Sequence, residues 1–226
     1  MNVIAVASRK GGAGKTTLTA HLAGFAHNAG HRCVVLDADP QGSLSLWHSL
    51  RADGQPPLRN AARGIERALA YAMVEGYEWA FIDTAPSMWV VAQEAIRAAT
   101  LVLIPARPGF FDLNAVRETV AASRERDKPY AVVLNAAPPK RDDKEAPAVA
   151  QSRAFMDKLG IPVWAGQISQ RAGYVLTLAA GASIGEATRD SVAAAEFARL
   201  WTAIERSVAA INEARGAASA SRDQAA

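Results

Sequence analysis

Short, continuously apolar runs alternate along the chain with longer segments of helical period. Val3–Ala7, Cys33–Asp37, Trp79–Asp83, Thr100–Ile104 and Tyr130–Leu134 read as strands, and a shorter sixth is expected at Pro162–Ala165. None shows the polar–apolar alternation of a half-exposed strand, so both faces of their sheet must be covered. Between the first two runs, Leu18, Leu22, Phe25 and Ala29 fall on one face of a helix from Lys15 to Ala29, with Gly30 as its stop. An arginine-rich helix is expected from about Asn60 to Glu75. Near the end, Phe197, Leu200, Ile204, Val208 and Ile211 form a stripe that would dock a last helix on the sheet. Strands joined by helical crossovers make a single-domain α/β fold, a doubly wound, mostly parallel sheet flanked by helices.

The segments that break this rhythm are surface links. Gln55-Pro56-Pro57 leads into the arginine-rich helix, and Pro138-Pro139-Lys140-Arg141-Asp142-Asp143-Lys144 is a charged loop. One domain is expected over 1–215, with 216–226 as a small, polar, flexible tail. There is no internal repeat. At 226 residues, 50% hydrophobic and 21% charged, the chain suits one folded core. It has no apolar run of membrane-spanning length, and no basic segment precedes the first strand, so neither a membrane-embedded protein nor a secretory signal is expected. A single cysteine, Cys33, can form no internal disulfide, which fits a reducing cytoplasm. The net charge of +3 and a pI near 9.2 permit a nucleic-acid-binding face without requiring one.

Chemistry concentrates between the first strand and the first helix, in Arg9-Lys10-Gly11-Gly12-Ala13-Gly14-Lys15-Thr16-Thr17. Glycines let a loop close around phosphate and aim its N–H groups inward, and the helix start adds partial positive charge. In such a loop Gly11, Gly12, Ala13, Gly14 and Thr17 cradle phosphates, Lys15 reaches the β- and γ-phosphates, and the Thr16 hydroxyl binds Mg²⁺. ATP and Mg²⁺ are the expected cofactors. The ordinary loop has glycine where Arg9 stands, and it lacks a lysine at the position of Lys10.

A second lysine beside the glycines marks the deviant Walker A group, and the chain resembles the ParA/MinD ATPases over nearly its whole length. The resemblance implies that two protomers sandwich two nucleotides, Lys10 reaching the phosphates held by the partner. Asp37-Ala38-Asp39-Pro40-Gln41 resembles the family's switch I box, which makes Asp39 the residue that positions the attacking water and assists Mg²⁺, with Asp37 in a supporting place. Phe81-Ile82-Asp83-Thr84 matches the Walker B box, where Asp83 holds Mg²⁺ through water. Thr84 stands where faster ATPases carry a glutamate, so slow hydrolysis is expected. Ile104 to Pro108, with Phe111-Asp112-Leu113, resembles the segment bordering nucleotide and dimer face; Asn135 stands where relatives read adenine, though it is equally a turn residue.

Ile168 to Tyr174 and Gly181 to Glu186 resemble the small plasmid-type, ParF-like partition ATPases. That likeness implies an ATP-state homodimer on non-specific DNA, cytoplasmic and nucleoid-associated, released when a ParB-like or cargo-linked protein stimulates hydrolysis. Arg171, Arg189 and Arg199 are the preferred DNA contacts, with Arg206, Lys140, Arg141 and Lys144 as further candidates; each is otherwise an ordinary solvated charge. Gly216–Ala226 has no large apolar residue with which to hold a membrane, and one cysteine cannot bridge an iron–sulfur cluster between subunits. A P-loop ligase acting on a small carboxylate, or an ATP switch that recruits proteins without DNA, are the alternatives.

Overall fold

A computed structural model describes the backbone of residues 1–223, and their side chains except those of Phe110, Phe111, Leu113 and residues 219–223. The expected contributions of Phe111 and Leu113, and the last three residues of the expected tail, therefore lie outside the described residues. In chain order the elements are β1 (Asn2–Val6), α1 (Lys15–Asn28), β2 (Cys33–Ala38), α2 (Ser43–Ser49), β3 (Leu58–Asn60), α3 (Ile65–Val74), β4 (Trp79–Thr84) and α4 (Trp89–Ala98). Then follow β5 (Leu101–Ala106), α5 (Phe110–Glu125), β6 (Tyr130–Leu134), α6 (Pro147–Lys158), α7 (Ala172–Ala179), α8 (Ile184–Ala187) and α9 (Val192–Asp223). The strands form one parallel sheet in the order β3-β2-β4-β1-β5-β6.

Alternation along each strand sorts its side chains into two cores. Val3, Ala5, Leu36, Ile82 and Ile104 point to one face and pack with Ile65, Ile96, Val120 and Met156. Ile4, Val6, Val35, Phe81 and Leu103 point to the other, where Leu18, Leu22, Phe197, Leu200, Trp201 and Ile204 cover them. Because β1 lies centrally, the chain runs to one side through β2 and to the other through β5, and the loop after β1 opens at that change of direction. Ligands of such sheets bind at this point.

Five of the expected strands are present, but the sixth lies elsewhere. It is β3, at the sheet edge, and Pro162–Ala165 contributes only the isolated bridge Val132↔Val163. The arginine-rich helix starts at Ile65 rather than near Asn60, because Asn60 belongs to β3 and Gly64 precedes the first turn. Helix α1 is buried on more sides than a single stripe predicts. It lies between the sheet and the helices α7 to α9, so Thr19, His21 and Ala23 are as covered as Leu18 and Leu22, while Ala29 is exposed. The stripe on α9 is buried from Phe197 to Val208, and Ile211 packs partly against the same core.

The boundary expected at residue 216 is not the end of a helix, since α9 continues to Asp223. Alanine, the strongest helix former, dominates Ala214–Ala220 and carries the helix past its last core contact despite Gly216. Among the described residues no helix is long and apolar enough to cross a membrane.

Candidate nucleotide site

The loop from Ala7 to Gly14 joins β1 to the start of α1. Gly12 and Gly14 take left-handed backbone angles, φ +71° and +95°. At Gly14 space as well as conformation demands glycine, for a Cβ would stand 2.1 Å from Asn135 Nδ2. That amide donates to the Ala13 carbonyl at 2.7 Å, so Asn135, just beyond β6, clips the loop from the opposite wall.

Lys15 is buried, and its Nζ donates to the Lys10 carbonyl at 3.2 Å. Burial lowers its pKa, opposed by the charges of Asp83 and Asp39. The Lys10 ammonium makes no hydrogen bond or ion pair among the described residues. Arg9, in the position where an ordinary loop has glycine, is accommodated because it turns outward. Its guanidinium pairs with Glu118 at 2.6 Å and lies 5.2 Å from the Trp89 ring centre.

The Thr16 hydroxyl donates to Asp83 Oδ2 at 2.6 Å, while Asp83 Oδ1 is buried without a partner among the described residues. Burial pushes the Asp83 carboxyl up to about 7, with Asp37 and Asp39 adding to the rise and Thr16 and Lys15 opposing it. An orphaned carboxylate oxygen beside a hydroxyl fits a hard divalent cation such as Mg²⁺. Asp37, one strand away, is otherwise employed. Its Oδ1 accepts the Asp39 N–H at 3.1 Å, and its Oδ2 accepts the Ser45 N–H at 2.9 Å and hydroxyl at 2.6 Å. It therefore shapes the loop that carries Asp39, rather than offering a free oxygen. Asp39 itself is half-buried and accepts the Gln41 N–H at 2.9 Å.

These groups open on a cavity of about 500 Å³, enough for a nucleotide. Gly12, Gly14, Lys15, Thr16, Thr17 and Asp39 line one side, with Arg107 near Gly12. Gly11 is exposed at the loop and Ala13 is buried beneath it. Across the cavity stand Asn135, Ser169, Arg171 and Tyr174.

Arg171 is not a free surface cation. Its Nη2 donates to Glu196 Oε1 at 2.9 Å, and Glu196, only 4% exposed, also accepts the Tyr174 hydroxyl at 2.6 Å and the Ser169 hydroxyl at 2.8 Å. Burial would raise the Glu196 pKa, but the bonds from Arg171, Tyr174 and Ser169 outweigh it and hold the carboxyl below its usual range. Arg199 is exposed and lines a neighbouring cavity of about 580 Å³ with Lys140, sharing Arg171 and Glu196 as its wall. Arg189 is exposed between α8 and α9, apart from that lining. Sequence reasoning missed Glu196 because its partners lie 22 to 27 residues away and no local motif marks it.

Comparison with known proteins agrees with this geometry. Over residues 4–184 the chain matches the model of the CobQ/CobB/MinD/ParA nucleotide binding domain. It is 28% identical over 193 residues to the maintenance of carboxysome distribution protein A of Halothiobacillus neapolitanus, covering 80% of this chain and 85% of that one. It is also 28% identical over 152 residues to the chromosome-partitioning ATPase Soj of Thermus thermophilus, covering 54% of this chain and 61% of that protein. The structure of the septum site-determining protein MinD of Pyrococcus horikoshii, complexed with Mg-ADP, superposes with a TM-score of 0.70 at 17% identity, over 90% of this chain and 95% of that one, which shows a shared fold. With its phosphate loop, its paired Thr16 and Asp83, and a family match over most of its length, the chain belongs to the CobQ/CobB/MinD/ParA family of nucleotide-binding proteins.

Proposed function

We propose that this protein is a ParA-type ATPase that dimerises on ATP and binds non-specific DNA as a dimer. A ParB-like or cargo-linked protein would release it by stimulating slow hydrolysis. On this reading it partitions DNA or positions a cargo, in the cytoplasm and over the nucleoid while ATP is bound. The observation that carries the proposal is Lys10, a lysine beside the phosphate loop whose ammonium has no partner among the described residues. A cation held in that place and left unpaired suits charge brought by a second copy's triphosphate.

The chemistry follows from this chain's own groups. Lys15 and the loop N–H groups would hold the phosphates, and Thr16 with Asp83, assisted by Asp39, would hold Mg²⁺, which when bound neutralises charge on the transferring phosphoryl group. Thr84 offers no carboxylate to serve as a base, and its buried hydroxyl is turned to the Val6 carbonyl, to which it donates at 2.9 Å. Among the described residues lining the cavity, Asp39 is the carboxylate, and it is the group that would orient the attacking water. A single carboxylate that must also serve the metal supports slow turnover. Asn135 would meet the base from the side where it already clips the loop.

Lys10→Ala should retain nucleotide binding through Lys15 but lose ATP-dependent dimerisation, read by sedimentation with a non-hydrolysable analogue. A variant that dimerises as the parent does would remove the sandwich. If turnover instead depends on an added small carboxylic acid, the ligase alternative takes its place.

A further inference from the structure

At the open edge of the sheet, β3, the short loop after it and α3 each carry an arginine, Arg59, Arg63 and Arg67 in turn. Arg59, Arg63 and Arg67 line one groove of about 420 Å³ together with Tyr71, and among the described residues no acidic one contributes to its lining. Arg63 is exposed and makes no side-chain hydrogen bond or ion pair among the described residues. Arg67 lies 5.6 Å from the centre of the Tyr71 ring, itself 51% exposed, and its Nη2 reaches the Tyr71 hydroxyl at 3.4 Å. The nearby acids are already engaged, Glu75 by Arg59 and Glu66 by Arg97. The row therefore carries at least two uncompensated cations. Arg171, in contrast, is held by buried Glu196.

We propose that this arginine row, running from β3 through the connecting loop into α3, is a contact surface for the sugar–phosphate backbone of DNA. The inference rests on the DNA-binding reading above and moves its principal contact away from Arg171. Three cations lining one groove suit a ligand whose charges repeat along a line. An acidic protein segment would need an apolar anchor sunk in a desolvated pocket, and the apolar lining of this groove among the described residues is small: Ala68, half-buried Leu58 and the Tyr71 ring.

The groove is also tied to the nucleotide site. The Ala61 N–H donates to the Asp37 carbonyl at 2.8 Å, and the Asp37 carboxylate holds the Asp39 N–H. The segment bearing Arg63 thus hangs from the same residue that shapes the Asp39 loop. A change at Asp39 on nucleotide binding has a direct route to the row.

The test uses the full chain, ATP with Mg²⁺, and a labelled random-sequence duplex, titrated across a salt series. Against the parent, Arg63→Glu/Arg67→Glu should bind roughly tenfold or more weakly, with a log–log salt slope shallower by about 2, since each lost phosphate contact removes about 0.9. Both side chains are exposed, so an unchanged unfolding midpoint should accompany the loss. An unchanged affinity and slope, beside an ATP-dependent parent, would overturn the row and leave the proposed function standing. If labelled octaglutamate binding falls in the double variant while DNA binding holds, the groove belongs to an acidic protein segment and the inference is likewise overturned. A parent that binds no DNA with ATP would remove the functional reading itself, and the inference with it.

Discussion

Lys15→Gln is expected to weaken ATP binding about 100-fold while leaving the apo protein folded and no less stable. Lys15 is 6% exposed, and among the described residues its ammonium has one hydrogen-bond partner, the Lys10 carbonyl. Burial disfavours the charged form, and the nearby charges of Asp83 and Asp39 only partly offset that cost. An uncharged side chain removes that cost, so the apo midpoint in denaturant should hold or rise. Triphosphate binding responds in the opposite sense. A charge-assisted contact to phosphate contributes about 3 kcal/mol, which is roughly 100-fold in affinity. Calorimetric titration with ATP, run beside chemical unfolding, reads both effects on one preparation. Affinity within tenfold of the parent would show that Lys15 does not reach the phosphates. A large drop in stability would show that the buried lysine holds the loop together instead.

The same physics decides what the sequence alone reveals. Strands β1, β2, β4, β5 and β6 are legible because helices cover both faces, and full burial demands continuous apolar runs. Strand β3 is not, because an edge strand of three residues has one neighbour and tolerates Arg59 and Asn60. Pro162–Ala165 carries the composition of a strand, but its ladder with β6 does not extend beyond one bridge. The phosphate loop is legible for a different reason. Its chemistry lies in consecutive residues whose backbone does the binding, so spacing alone specifies it. What surrounds the loop is set by long-range pairing. Asn135 meets Ala13 across 122 residues, and Arg51 meets Glu186 across 135. Neither pairing leaves a local trace, so family resemblance names Asn135 as a residue of interest without revealing that it clips the loop.

Two buried groups should give the apo protein opposite responses to acid, and removing either one should expose the other. His21 is fully buried on α1 against Tyr174 and Phe197, its Nδ1 accepting the Ile184 N–H at 3.1 Å. Burial depresses its pKa to about 3 from 6.5, against smaller upward pulls from the Tyr174 backbone and Glu186. Between those values the unfolded chain binds the extra proton, so His21 costs stability as pH falls, about 1.4 kcal/mol per pH unit. Asp83 acts in the reverse direction. Its folded pKa, near 7 against 3.8 unfolded, means that the folded chain binds the extra proton, so acidification over that window adds stability at a similar rate. Glu186 and Glu196 have depressed values and lose their contribution only below about pH 4.5, outside the window. From pH 6.5 to 5 the parent should therefore change little. His21→Gln should gain about 2 kcal/mol over that interval and Asp83→Asn should lose about 2, measured by urea unfolding with a chelator present. Parallel profiles for the two variants would mean that neither group is held in the protonation state its burial implies. Bound Mg²⁺ would fix Asp83 as the carboxylate, so the acid-stabilising arm should vanish from the parent when nucleotide and metal are added, leaving the loss that His21 imposes.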